Sequence, residues 1–174
     1  YVQDYGKDKS LATTTDNRLI IQIDLGKETC PVGTALCTKT DVITLASTTA
    51  FTLYSATMAT SVMDAHAIQW RDAAAKTSYV KDYGADKTSG AVANDTLDDR
   101  FIKQVEQTAD CPVGTTCTTA NFEKTYVEVR KSSFTNTTLD SAAMQWTDRS
   151  GAQDITYVQD YGKDKSLATT TDNR

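Results

Sequence analysis

YVQDYGKDKSLATTTDNR, the stretch from Tyr1 to Arg18, occurs again without a change from Tyr157 to Arg174, and a shorter relative, YVKDYGADKT, lies midway at Tyr79–Thr88. The three starts are 78 residues apart (79 − 1 = 78, 157 − 79 = 78). A fixed period is the signature of repeat architecture, so the chain reads as two repeats and the opening of a third. The perfect match of the outer copies beside a diverged middle one implies a larger unit of two unlike repeats, duplicated as a whole.

A period of 78 in a chain of 174 residues makes each repeat a small unit whose single core needs extra restraint. About one residue in six is Thr, while Pro occurs only twice, a composition that favours strands. The four cysteines fall as one close pair per repeat, in CPVGTALC (Cys30, Cys37) and CPVGTTC (Cys111, Cys117). Of the three possible connectivities, repeat symmetry and short separation favour Cys30 with Cys37 and Cys111 with Cys117. Such bridges imply an oxidising setting, extracellular or at the cell surface. The Pro-Val-Gly-Thr inside each loop is turn chemistry.

Outward from the motif, RLIIQIDL (Arg18–Leu25) and RFIKQVEQ (Arg100–Gln107) read as strands with one buried face. DVITLAS and AFTLYSAT in the first repeat, and KTYVEVRKSSF in the second, continue the pattern. Each repeat then reaches its Trp, in AHAIQWRD (Trp70) and SAAMQWTD (Trp146), followed by a polar turn and the next YVxDYG. A closing hairpin of Trp strand against Tyr strand is expected in both. TSVMDAHA and AVANDTLDD read as short helical turns, the latter capped by Asn94 or Asp95.

Short, evenly spaced strands without a sustained helical period predict an all-β chain of two tandem antiparallel β-sandwich domains, each with one local disulfide. With the motif as a closing strand, 1–10 is an orphan copy, 11–84 and 85–162 are the two repeats, and 163–174 starts another. One Trp and one disulfide per repeat make the layout resemble tandem immunoglobulin-like repeats of surface adhesins and extracellular fibres. The cysteine spacing is too short for that fold's inter-sheet bridge, so the resemblance implies architecture and no site residues.

The net charge of −5 and scattered basic residues argue against nucleic acid as a partner. No apolar run is long enough to insert into a membrane, and with no initiator Met the chain is read as a mature product or excised fragment. No acid–base pair, nucleophile elbow, phosphate loop or zinc spacing occurs in both repeats; the lone His66 has no counterpart, so no enzyme and no cofactor is expected. Asp82 and Asp86 are candidate calcium ligands at the repeat junction, but without an Asp-x-Asp-x-Asp-Gly loop solvated turn carboxylates are the favoured reading. Asn94 and Asn136 head sequons for N-glycans. Tyr1, Val2, Tyr5, Tyr79, Tyr83, Tyr157, Val158 and Tyr161 are the candidate assembly residues, although i and i+4 tyrosines on one strand face equally suit a core.

An array whose units touch mainly their neighbours builds length. The expectation is therefore a structural repeat of an extracellular fibre, filament or stalk that partners itself, with strand exchange through the motif; the alternative is an adhesin module binding a glycan or host protein.

Overall fold

The computed structural model describes residues 2–4, 18–46, 62–85, 87, 98–112, 116–151 and 154–166. Among the described residues, nine strands form one antiparallel sheet in chain order. They are β1 (Val2–Asp4), β2 (Arg18–Thr29), β3 (Leu36–Ala46), β4 (Val62–Asp72), β5 (Thr77–Asp82), β6 (Arg100–Gln107), β7 (Phe122–Lys131), β8 (Leu139–Asp148) and β9 (Ile155–Asp160). The sole helical element among the described residues is a 3₁₀ turn at Thr119–Asn121.

The two expected hairpins form, with Trp70 opposite Tyr79 and Trp146 opposite Tyr157. In the first, Asp72 Oδ1 accepts from Ala75 N at 2.9 Å and Lys76 takes the left-handed φ of 49° that closes the turn. The motif itself ends in a turn of its own: Asp82 Oδ1 accepts from Gly84 N at 3.0 Å, and Asp160 Oδ1 from Gly162 N at 2.8 Å. Both glycines are left-handed, at φ 61° and 65°, which explains why Asp-Tyr-Gly terminates the strand.

Three expectations change. The strands were to fold as two sandwiches; the antiparallel strands and local disulfides are present, but the described strands pair into one sheet rather than into facing pairs of sheets. The reason lies in β5, which hydrogen-bonds to β4 on one side and to β6 on the other, so the repeat boundary is a ladder rather than a linker. Second, the described part of the opening copy has a partner strand, since Val2–Asp4 pairs with Ile20–Arg18 of β2. Third, TSVMDAHA forms no helical turn: from Val62 onward it is β4, paired to β3 through Ala46, Leu45 and Thr44. Its helix propensity is too weak to oppose a ready ladder. AVANDTLDD, except its last two residues, and all of AFTLYSAT lie outside the described residues.

Alternation sorts the side chains onto two faces. Register carries one face from Leu19, Ile21 and Ile23 in β2 through Ile43 and Leu45, His66, Ile68 and Trp70, Tyr79 and Lys81 to Phe101 in β6. It continues through Tyr126, Ala142, Met144 and Trp146 to Tyr157. Most buried apolar residues lie on this face, many of them in three clusters: Leu19, Ile21 and Leu45; Cys30, Cys37 and Tyr79; and Phe122, Ala142, Met144, Trp146 and Tyr161. The second cluster is capped from the other repeat, as Phe134 of the β7–β8 loop packs edge-on against Trp70, Tyr79 and Phe101 at 5.1 to 5.9 Å.

Candidate functional site

Cys30 bonds to Cys37 and Cys111 to Cys117, as the repeat symmetry predicts. Beside each bridge stands the same constellation. Trp70 Nε1 donates to Glu28, which also pairs with Lys39 Nζ at 3.0 Å; Trp146 Nε1 donates to Asp110 at 2.7 Å, which also pairs with Lys124 Nζ. Each ammonium lies 5.5 Å from its Trp ring centroid, within cation–π reach. The Trp and Lys contacts hold both carboxyls below their ordinary range. The sequence carries a faint signal for this, an acid one or two places before each Cys-Pro-Val-Gly, but the Lys and Trp come from β3 and β4, or β7 and β8, and only the ladder brings them to it.

A second constellation marks the repeat boundary. Asp99 is 1% exposed, and neither of its carboxylate oxygens makes a hydrogen bond of ordinary geometry, while Lys81 Nζ sits 3.0 Å from Oδ2 and 4.4 Å from the centre of the Tyr83 ring. In the opening copy the corresponding residues are Gln3 and Asn17: Gln3 is opposite Leu19 as Lys81 is opposite Phe101, and Asn17 precedes Arg18 as Asp99 precedes Arg100. The charged residues of the middle copy thus stand where the opening sequence has two amides.

The tyrosines divide by place. Tyr79, Tyr83 and Tyr161 are buried, whereas Tyr157 is 39% exposed and Val158 54%. Tyr79, Tyr83 and Tyr161 thus pack within the chain's own apolar face. The difference follows the described neighbours: Tyr79 lies between β4 and β6, while among the described residues β9 is paired to β8. Tyr83 packs on His66 at 4.6 Å and Tyr161 on Tyr126 at 6.1 Å. Burial raises the phenol pKa of Tyr79, Tyr83, Tyr126 and Tyr161. His66 itself is bonded at both ring nitrogens, to Asp41 Oδ1 at 2.8 Å and Lys87 O at 3.1 Å, which leaves it no free nitrogen for acid–base work in this arrangement. For Val2 only the backbone pairing is described, and Tyr1 and Tyr5 lie outside the described residues.

Of the calcium candidates, Asp82 is engaged as the cap of Gly84, and Asp86 lies outside the described residues; among the described residues no group of three metal-ligating side chains occurs. Of the sequons, Asn94 lies outside the described residues, and Asn136 uses both ends of its amide within the β7–β8 loop, donating to Lys131 O and accepting from Thr138 N, each at 2.9 Å. No described helix is long and apolar enough to cross a membrane.

Beside the second cystine is a hollow of about 490 Å³ lined by Cys117, Thr118, Asn121, Phe122, Asp148 and Tyr157. The Phe122 and Tyr157 rings, both in its lining, stack on each other with centroids 6.2 Å apart. Comparison of the chain with described protein families, with curated proteins and with solved structures finds no match.

Proposed function

We propose that the chain is a structural repeat unit of an extracellular fibre, filament or stalk, and that it partners copies of itself. The observation that carries this reading is the placement of the repeated strand. In β5 it has a Trp strand on one side and an Arg-led strand on the other, and those pairings recur in the same registers, β8 with β9 and β2 with β1. A sheet built in chain order from such strands has no internal reason to stop, and each repeat contacts chiefly its neighbours. Two local disulfides suit an oxidising, extracellular setting. On this reading 11–84 and 85–162 are the units of the array, joined through the sheet, and an immunoglobulin-like sandwich layout would require the array to add facing sheets. Negative-stain electron microscopy of the native material tests it: fibres with an axial period of one two-repeat unit are expected, and dispersed particles at every concentration refute it.

A second reading has its own observation. The hollow beside Cys117 joins a stacked aromatic pair to carboxylate, amide and hydroxyl groups, a combination suited to a sugar ring. An adhesin module that binds a glycan there predicts a ligand-dependent rise in melting temperature, abolished by Tyr157→Ala; a pure spacer predicts none.

A further inference from the structure

Lys81 and Asp99 are diagonal neighbours at the repeat boundary. Lys81 stands opposite Phe101 in the β5–β6 ladder, and Asp99 lies two residues before Phe101. The Asp99 side chain has no solvent contact, and neither of its oxygens makes a hydrogen bond of ordinary geometry. Lys81 Nζ lies 3.0 Å from Oδ2, with the Tyr83 ring centre 4.4 Å away and that of Phe101 5.8 Å away. A lysine nitrogen is thus held against a carboxyl group that water does not reach.

We infer that this pair is a modification site, at which Lys81 Nζ and Asp99 Cγ condense into a side-chain amide that ties β5 to the start of β6. The inference does not depend on the fibre reading. In water, hydration of the two ions opposes condensation. Asp99 has given up that hydration, so its charged form carries a desolvation cost that a neutral amide does not. Fixed proximity adds to this, since well-aligned groups in one molecule react as if at about 10⁵ M or more. With no hydrogen bond tying either oxygen, the carboxyl group is able to present its carbon to the nitrogen.

The ammonium first passes one proton to the carboxylate, which leaves a neutral amine beside a carboxylic acid. The amine lone pair forms the Nζ–Cγ bond, a second proton moves from nitrogen to the hydroxyl oxygen, and the Cγ–O bond breaks to release water. One hydrogen stays on the amide nitrogen and one oxygen on its carbonyl; nothing is oxidised or reduced, and no co-reactant is consumed. The Lys81 side chain keeps 22% exposure, which gives the water an exit.

The opening sequence has Gln3 and Asn17 at the corresponding positions, and a carboxamide nitrogen lacks the free lone pair that the attack requires. The bond therefore forms at the middle copy, where it closes the chain between residues 81 and 99 and restricts the unfolded state as a disulfide does. Until it forms, the two side chains are the ion pair already described, and substitutions at either position act on that pair.

Intact-mass spectrometry of the full 174-residue chain, folded with its cystines formed and followed through incubation, tests the inference. The parent should lose about 18 Da, one water, beyond the loss from its two cystines. Lys81→Arg keeps a cation beside Asp99 but supplies no amine, and it should hold its full mass. Trypsin does not cut at an acylated lysine, so the parent should yield one branched peptide in which 77–87, uncut at Lys81, is joined to 88–100. If Lys81→Arg fails to fold, the parent's peptide map decides alone. A parent whose mass does not fall overturns the inference, as does an equal loss in Lys81→Arg. So does a loss with 77–81 and 82–87 recovered as separate peptides, the pattern an aspartyl succinimide gives. None of these results removes the fibre reading, which microscopy of the native material decides.

Discussion

Replacing Lys81 by Gln leaves the Asp99 carboxylate buried with no cation beside it. Its side chain is wholly inaccessible, its oxygens make no hydrogen bond of ordinary geometry, and the Lys81 ammonium at 3.0 Å is its only described ion-pair partner. Removing one member of a buried pair costs about 3 kcal/mol or more. The reverse change, Asp99→Asn, is milder, because the Lys81 side chain keeps 22% exposure and the Tyr83 face 4.4 Å away, and about 1–2 kcal/mol is expected. The double variant installs the Gln/Asn pair that the opening copy carries at residues 3 and 17. Two neutral amides can satisfy each other, so it should lie within about 1 kcal/mol of the parent, a coupling of about 3–4 kcal/mol. Urea unfolding with the disulfides intact gives the four stabilities. The Lys81→Gln loss corresponds to a fall in melting temperature of roughly 6–12 °C for a chain of this size. If the double variant loses the sum of the single losses, the two positions do not act as a pair and the correspondence with Gln3 and Asn17 is wrong.

Three further outcomes follow from the same physics. Gly84→Ala should cost about 2–3 kcal/mol, because a Cβ there meets Asp98 at 2.6 Å in addition to the left-handed φ, whereas Gly26→Ala, with open space around it, should cost only about 1 kcal/mol by thermal unfolding. Replacing either cystine by two alanines should cost about 2.5 kcal/mol from loop closure, and more at Cys30–Cys37, whose sulfurs are buried against Tyr79, than at the half-buried Cys111–Cys117. Glu28 and Asp110 titrate lower folded than unfolded, so their contribution is present above the unfolded carboxylate range and is lost as pH falls through the folded values. Parent stability should therefore decline below about pH 4, and Glu28→Gln with Asp110→Asn should flatten that decline in acid unfolding curves.

Much of the local structure was legible because it depends on neighbours in sequence. The hairpins at Trp70 and Trp146 follow from alternation around a polar turn, and the cystines from two cysteines in one short loop. The motif's Asp-Tyr-Gly ending follows from an acid that caps and a glycine that tolerates positive φ. TSVMDAHA was misread because β4's ladder to β3 outweighs a local preference. The Trp–carboxylate–Lys groups stayed hidden since their members are 11 and 42 residues apart in the first repeat. The tyrosines show the same limit: Tyr79 and Tyr157 occupy equivalent places in nearly the same hexapeptide, yet one is core and the other surface.

The sequence by itself determined the period, the strand-rich class, the disulfide pairing and the turns, all set by residue type and short-range spacing. Only the tertiary structure decided that the strands join into one sheet across the repeat boundary and that the middle copy of the motif is covered by a strand on each side. Those outcomes depend on which ladder forms on each side of a strand. A strand's backbone can pair on either side with any neighbour of matching register, so its own residues do not say what stands beside it.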